Sequence, residues 1–269
     1  MSEPRHLVTI HDIVADLRQL GLEPGMTVIV HSSLSSLGWV CGGSQAVILA
    51  LQEVLGSHGT LVMPTHSAVL SDPAYWCNPP VPESWWGKIR ETMPAYRSDL
   101  TVTNGMGKIP ETFRTMRDVV RSNHPKLSFA ALGAKKEEIV RGHTLEYSMG
   151  EESPLARLYQ EDAFILLLGV GYDSCTALHL AEYRAEYVGK VVIKEGAPIF
   201  VDGERTWVEY EDVDVDNEDF SLIGSDYESQ TNSFHKGKIG EAEARLIPLR
   251  ELVDFAVPWL EFHRVKTQS

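Results

Sequence analysis

Residues 169–182, GVGYDSCTALHLAE, place Asp173, Thr176, His179 and Glu182 within ten positions, directly after the apolar run AFILLL. A histidine and a glutamate three residues apart on a helix lie on nearly the same face. An imidazole held by a carboxylate is a general-base arrangement, because the carboxylate fixes the tautomer and stabilises the imidazolium formed when a proton is taken. Asp173 or Ser174 is positioned to cap a helix starting near Cys175, with His179 and Glu182 in its first turns. A structural histidine bonded to its neighbour has the same spelling, and the spacing leaves both readings open.

Other polar groups also follow apolar runs. His31, Ser32 and Ser33 follow TVIV, Ser35 lies two residues on, and Thr65 follows LVMP. Ligands of open α/β sheets gather at the carboxyl ends of strands, so these groups and Asp173 face one cavity if their strands are neighbours. The loop HSSLSSLGWVCGG offers hydroxyl and backbone donors suited to phosphates, amides or a developing oxyanion. It is neither a Walker loop nor a GxGxxG fingerprint. In TNGMGKIP, Gly105 and Gly107 flank Met106 and either admit a ligand to the backbone or form a tight turn. His66 and His124 compete with His179 for the role of base. No HExxH occurs, and no metal site is expected. A serine hydrolase using Ser32 or Ser33 with His179 and Asp173 has the right residue types but lacks the GxSxG elbow.

The elements that must position these groups alternate between strand and helix. Residues 11–22 have helical spacing and end in a turn, and 27–33 form a short buried strand. A helix after Gly42 and Gly43, capped by Ser44, leads to a strand at 59–65, a parallel unit. Residues 67–96, rich in proline and tryptophan, form an ordered loop that covers either a site or simply the core, with a short helix in ESWWGKIRETM. GKIPETFRTM starts a helix, LSFAALG is a strand, AKKEEIVRG is a short exposed helix, and Ser153 caps another with Pro154 just inside. AFILLLGVG is a fully buried central strand. From Lys190 the texture is that of antiparallel strands joined by Asp202–Gly203, and residues 202–228 hold eleven acidic side chains against one arginine. GKIGEAEARLIPLRELVDFAVPWLEFH supplies a last strand and a closing helix. The expectation is therefore α/β: a mostly parallel central sheet flanked by helices in one domain over 1–269, with an appended acidic antiparallel β lobe at 190–245.

Bulk properties limit the partners. The chain has 269 residues, 43% hydrophobic and 23% charged, a globular balance. A net charge of -14 repels a phosphate backbone, so no nucleic acid is expected; an acidic surface favours cationic ligands, and equally serves simply to keep a protein soluble. Apolar runs fall short of the ~20 residues of a membrane span. The opening MSEPRHLVTIHDIVADL lacks a signal pattern, so the expected setting is the cytoplasm, with no membrane partner. Cys41, Cys77 and Cys175 read as free thiols. A homodimer is left open.

VIVHSSLSSLGWVCGG, GTLVMPT, DPAYWCNPPVPESWW, GMGKIPETFR, VVRSNHPKLSFAALG, GEESPLARLY and LLLGVGYDSCTALHLAE together resemble the aminoglycoside 3-N-acetyltransferase family, in order over roughly residues 8–260. The resemblance implies transfer of acetyl from acetyl-CoA to an amine, the 3-amino group of a 2-deoxystreptamine ring, directly and without a metal. It also implies a fold unlike that of the commoner acetyltransferases, whose pyrophosphate loop is absent. His179 would be the general base, with Glu182 and Asp173 around it. The coenzyme channel would be lined by His31, Ser32, Ser33, Ser35, Thr65, Gly105, Met106, Gly107, His124 and Ser128, and the acidic lobe would draw in a polycation. A serine hydrolase and a non-catalytic coenzyme-binding protein are the competing readings.

Overall fold

Helices cover both faces of the central sheet, which is why its inner strands are buried at successive positions rather than at alternate ones. The computed structural model describes residues 6–264. In chain order its elements are β1 (Leu7–Val8), α1 (Ile10–Leu20), β2 (Thr27–Ser32), β3 (Trp39–Val40), α2 (Gly43–Leu55), β4 (Thr60–Pro64), α3 (Glu83–Thr92), α4 (Lys108–Arg114), β5 (Val120–Arg121), β6 (Phe129–Gly133), α5 (Lys136–Val140), α6 (Pro154–Gln160), β7 (Phe164–Leu168), α7 (Ala177–Arg184), β8 (Val192–Val201), β9 (Glu204–Val213), α8 (Phe220–Gln230), β10 (His235–Ile239), β11 (Ala242–Pro248) and α9 (Leu249–His263).

Seven strands form the main sheet in the order β10-β11-β7-β2-β4-β6-β5. Along β2, Ile29 faces a cluster built with α5 to α9, while Val28 and Val30 face a second cluster built with α1, α2 and α4. The α/β class, the flanking helices and the antiparallel lobe are as the sequence suggests, and the central sheet has a parallel core with antiparallel pairings at its two sides. The β7–β2 and β2–β4 pairings are parallel; β11 and β6 flank them antiparallel, and the edge strands β10 and β5, each antiparallel to its neighbour, run again in the direction of the central three. The two-residue link between β10 and β11 permits no other direction, since parallel neighbours need a long crossover.

The antiparallel lobe is narrower than 190–245. It contains β8 and β9, joined at Asp202 and Gly203, which both take positive φ (51° and 84°) as the turn residues imply. Residues 220–230 are a helix, and β10 and β11 return to the main sheet. The acidic texture hides α8, whose Phe220, Ile223 and Tyr227 are buried at helical spacing. The single arginine of the acidic stretch, Arg205, donates from Nε to Met93 O at 3.0 Å and from Nη2 to Arg90 O. It thereby ties the lobe to α3, the helix expected in the proline-rich loop.

Local caps divide. Ser153 Oγ accepts from Ala156 N–H at the start of α6 as expected, and Thr9 with Asp12 forms a capping box on α1. Ser44 does not cap α2: Gly42 occupies that position in a left-handed conformation, and Ser44 Oγ instead meets Thr112 Oγ1 at 2.8 Å. Among the described residues, no helix is long and apolar enough to cross a membrane.

Helix α8 lies against the turn at Tyr172–Ser174, which precedes α7. A Cβ on Gly224 would stand 2.1 Å from the Tyr172 ring, and Tyr172 is buried. Gly224→Ala therefore forces α8 outward, and the expected cost is about 1–3 kcal/mol. A urea titration checks this: the midpoint should fall at constant slope. An unchanged midpoint would show that this contact does not constrain the fold.

Candidate active site

Since β7, β2 and β4 are parallel neighbours, their carboxyl ends open on one edge of the sheet. A cleft of about 1080 Å³ lies there. It is lined by His31, Ser32, Ser33 and Ser35 after β2, by Gly105, Met106 and Gly107 before α4, and by Asp173 and His179 after β7. The lobe contributes Glu195 and Asp212, and the segment following β9 adds Asp214 and Asp216.

His179 is in the first turn of α7, and its Nδ1 lies 2.5 Å from Glu182 Oε2. The side chain of Glu182 is 0% exposed, while that of His179 is 17% exposed and reaches the cleft. Glu182 Oε1 accepts from Arg264 Nη1 at 2.5 Å and from the Asp216 N–H at 3.3 Å. A carboxylate is an acceptor only, so Nδ1 carries the hydrogen and Nε2 is left with the lone pair. The ring is braced by Phe220, centroid to centroid 4.9 Å. Asp173 does not cap α7. Residues 172–174 form one tight turn, Thr176 occupies the cap position without a side-chain bond, and Asp173 is exposed on the cleft with its carbonyl accepting from Asn217 Nδ2 at 2.7 Å.

Burial, reinforced by the neighbouring His179, holds His31 down to about 3, so its ring is neutral. His31 Nε2, His66 Nε2 and Ser32 Oγ are enclosed without a hydrogen-bond partner, and all three residues line the cleft. Ser36 Oγ donates to Gly169 O at 3.1 Å and lies 2.9 Å from Ser33 Oγ, whose hydroxyl can donate to it, and Ser35 Oγ is 3.2 Å from Ser33 Oγ. This approach requires glycine at 169: its φ is +69°, and a Cβ would stand 2.7 Å from Ser36 Cβ. Neither Ser32 nor Ser33 bonds to an imidazole, so the nucleophile–base contact of a serine hydrolase is not made.

Thr65, His124 and Ser128 are buried, and none of the three is among the residues that line this cleft. Thr65 Oγ1 donates to Ser128 O at 3.1 Å, and Arg121 Nε donates to both hydroxyls. His124 Nδ1 accepts from the N–H groups of Lys126 (3.2 Å) and Leu127 (2.9 Å), and its Nε2 donates to Leu145 O. Burial holds it neutral. These residues shape the loop that presents Lys126 and Leu127 to the cleft. His143 Nδ1 meets Ser122 Oγ at 2.9 Å and its Nε2 meets Ser148 O at 2.6 Å; burial holds it down to about 4.

Sequence reasoning missed three charged groups. Lys126 pairs with Glu195 Oε1, while Glu195 Oε2 is buried without a partner. Glu195 lies outside the acidic window, in a strand whose alternation was its only signal. Arg264 has no local signal at all. Of the eleven acids at 202–228, Asp212, Asp214 and Asp216 face the cleft. Burial pushes Asp212 up, against the pull of its bonds from Ser148 and Tyr183. Cys41, Cys77 and Cys175 are free thiols, and burial pushes Cys175 up to about 12. Among the described residues, no three His, Cys, Asp or Glu side chains come together as a metal would need.

A strand-end cleft with a carboxylate-held imidazole defines an α/β protein equipped for acid–base chemistry. Residues 29–261 match the family described as aminoglycoside 3-N-acetyltransferase. The chain is 52% identical over 252 residues to the SPbeta prophage-derived aminoglycoside N(3')-acetyltransferase-like protein YokD of Bacillus subtilis strain 168, covering 93% of this chain and 92% of that one. The YokD crystal structure gives a TM-score of 0.93 over 96% of this chain and 95% of its own. Aminoglycoside N(3)-acetyltransferase VII of Streptomyces paromomycinus is 36% identical over 94% of this chain and 92% of its own. A solved structure of AAC-IIIb, binary with CoASH, gives a TM-score of 0.86 at 29% identity over 98% of this chain and 100% of its own. The chain belongs to the aminoglycoside 3-N-acetyltransferase family.

The buried histidines carry a pH dependence. His31, His124 and His143 are neutral when folded but titrate near 6.5 when unfolded. Below 6.5 the unfolded chain binds more protons, so stability is fully present above that pH and is lost as the pH falls. Between about pH 6.5 and 5 the slope approaches about 1.4 kcal/mol per pH unit for each histidine. Chemical denaturation at a series of pH values should show this decline, and His143→Gln should flatten it. A pH-independent stability across that interval would contradict the assignment.

Proposed function

We propose that this protein transfers the acetyl group of acetyl-CoA to the 3-amino group of an aminoglycoside, with His179 as general base. The observation that carries the reading is the His179–Glu182 pair at 2.5 Å, one member reaching the cleft and the other wholly buried. Family membership and the CoASH complex of AAC-IIIb support the coenzyme. The residues present fit it. The cleft is large, Gly105 and Gly107 let backbone approach a ligand, and the unpartnered His31 Nε2 and Ser32 Oγ await hydrogen bonds.

Bound acetyl-CoA supplies an activated acetyl carbonyl. An aliphatic amine near neutral pH is mostly ammonium and must lose a proton before it can attack. Asp173, Asp214 and Asp216 favour the arriving cation. His179 Nε2 takes the proton, and Glu182 on Nδ1 holds the ring and stabilises the imidazolium. The nitrogen would bond to the acetyl carbon as the carbon–sulfur bond breaks, the coenzyme leaving as its thiol; the reading is direct transfer, since no serine hydroxyl of the cleft is paired with a base.

The test is thiol release from acetyl-CoA across aminoglycosides with and without a 3-amino group, for the native chain and His179→Ala. Turnover should require the 3-amino group and fall ~10²-fold or more in the variant, with coenzyme binding retained by calorimetry. Equal turnover in the two proteins would reject the base. Coenzyme binding with no turnover of any amine would favour the non-catalytic binder.

A further inference from the structure

The buried carboxylate of Glu182 has both oxygens occupied, Oε2 by His179 and Oε1 by Arg264 Nη1 at 2.5 Å together with the Asp216 N–H. Arg264 stands one residue beyond α9 and 82 positions from Glu182. Its side chain is 13% exposed. Nε and Nη2 each donate to Asp219 at 2.7 Å, Nη1 donates to Glu182, and Cζ lies 5.0 Å from the centroid of the Tyr187 ring. All three nitrogens are thus committed, and the guanidinium plane is fixed by a two-pronged bond on one edge and a carboxylate on the other. A carboxylate held this way cannot rotate without breaking a charge-assisted bond.

We propose that Arg264 is a positioning residue for acetyl transfer: by gripping Glu182 Oε1 from an anchor on Asp219, it fixes the carboxylate that orients His179. This rests on the reading of His179 as the base. When His179 carries the proton, Glu182 stands between two cations and Arg264 is also held by Asp219, so no buried charge is left unpaired. Asp216 and Asp219 belong to the segment between β9 and α8, and Asp216 also lines the cleft. The same guanidinium therefore links the end of α9, the dyad and an acidic wall of the cleft. Lysine cannot replace it, because a single ammonium lacks the planar fork that serves Asp219 and Glu182 together.

The experiment uses the full chain as native protein, Arg264→Ala, Arg264→Lys, His179→Ala and the His179→Ala/Arg264→Ala double variant. Proton–nitrogen spectra of histidine-labelled protein supply a readout that needs no acceptor. A low-field Nδ1–H signal, assigned by its loss in His179→Ala, should be displaced or broadened in Arg264→Ala and less so in Arg264→Lys. Thiol release should show kcat lowered about 10-fold or more in Arg264→Ala, as expected when a base loses its orientation, while KM for acetyl-CoA stays within about twofold. In the His179→Ala background the Arg264 change should add little, because residues acting as a unit are non-additive. A native signal in Arg264→Ala overturns the proposal, and so does an equal fractional loss of kcat in both backgrounds, which marks a merely structural role. Should His179→Ala turn over at the native rate, the base reading fails and this one with it, whatever the spectra show. If Arg264→Ala does not fold, Arg264→Lys decides: native signal and kcat overturn the proposal, and a lowered kcat at unchanged KM supports it.

Discussion

A carboxylate with no solvent access is among the most demanding groups a fold can hold, because desolvation opposes its charge by several kcal/mol unless partners replace the water. Glu182 is such a group, and the site is organised around satisfying it. Its partners come from three places in the chain: the imidazole one turn earlier on α7, the backbone of Asp216 after β9, and the guanidinium of Arg264 after α9. They meet because α7 packs against α9, with Leu178, Leu180 and Ala181 sharing a cluster with Leu252, Val253, Ala256 and Leu260. Packing of that apolar interface is thus a precondition for the chemistry, and the pairing of Glu182 in turn rewards the packed arrangement.

The cleft itself divides by charge. At the end of β2, burial keeps His31 neutral beside the enclosed Ser32 hydroxyl, an uncharged patch of hydrogen-bonding groups. On the lobe side stand Glu195, Asp212, Asp214 and Asp216, with Lys126 offsetting only Glu195. Such a division suits two ligands of different character, one bound through hydrogen bonds to an extended chain and one bound through its positive charge. It agrees with the proposed pairing of a coenzyme and a polyamine acceptor. The ion pair between Lys126 and Glu195 also fastens the lobe to the loop after β5, so the acidic wall is held in register with the sheet.

Much of the architecture was legible in short stretches. FILLL announced a strand buried on both faces, Asp202–Gly203 a hairpin turn, Ser153 followed by Pro154 a helix start, and the i, i+3 spacing of His179 and Glu182 a shared helical face. What escaped was non-local. Strand direction outside the parallel core depends on how the chain returns to the sheet, and nothing in LSFAALG or EARLIP records it. Helix α8 was masked because its acidic neighbours dominate the local texture. Thr65, His124 and Ser128 are polar residues near strand ends, the same description that fits His31 and Ser32, yet they turn inward to bond with Arg121 and with backbone.

By itself the sequence determined the α/β class, the strand that leads into the site, and the pairing of an imidazole with a carboxylate, since these follow from periodicities and hydrogen bonds that span a few residues. Tertiary structure alone decided which polar groups face the cleft, where the acidic lobe ends, and that Arg264 reaches Glu182 across 82 residues. The physical reason is range. Backbone geometry repeats over a turn or a pleat, whereas the environment of a charge is set by whichever segments the packed core brings against it.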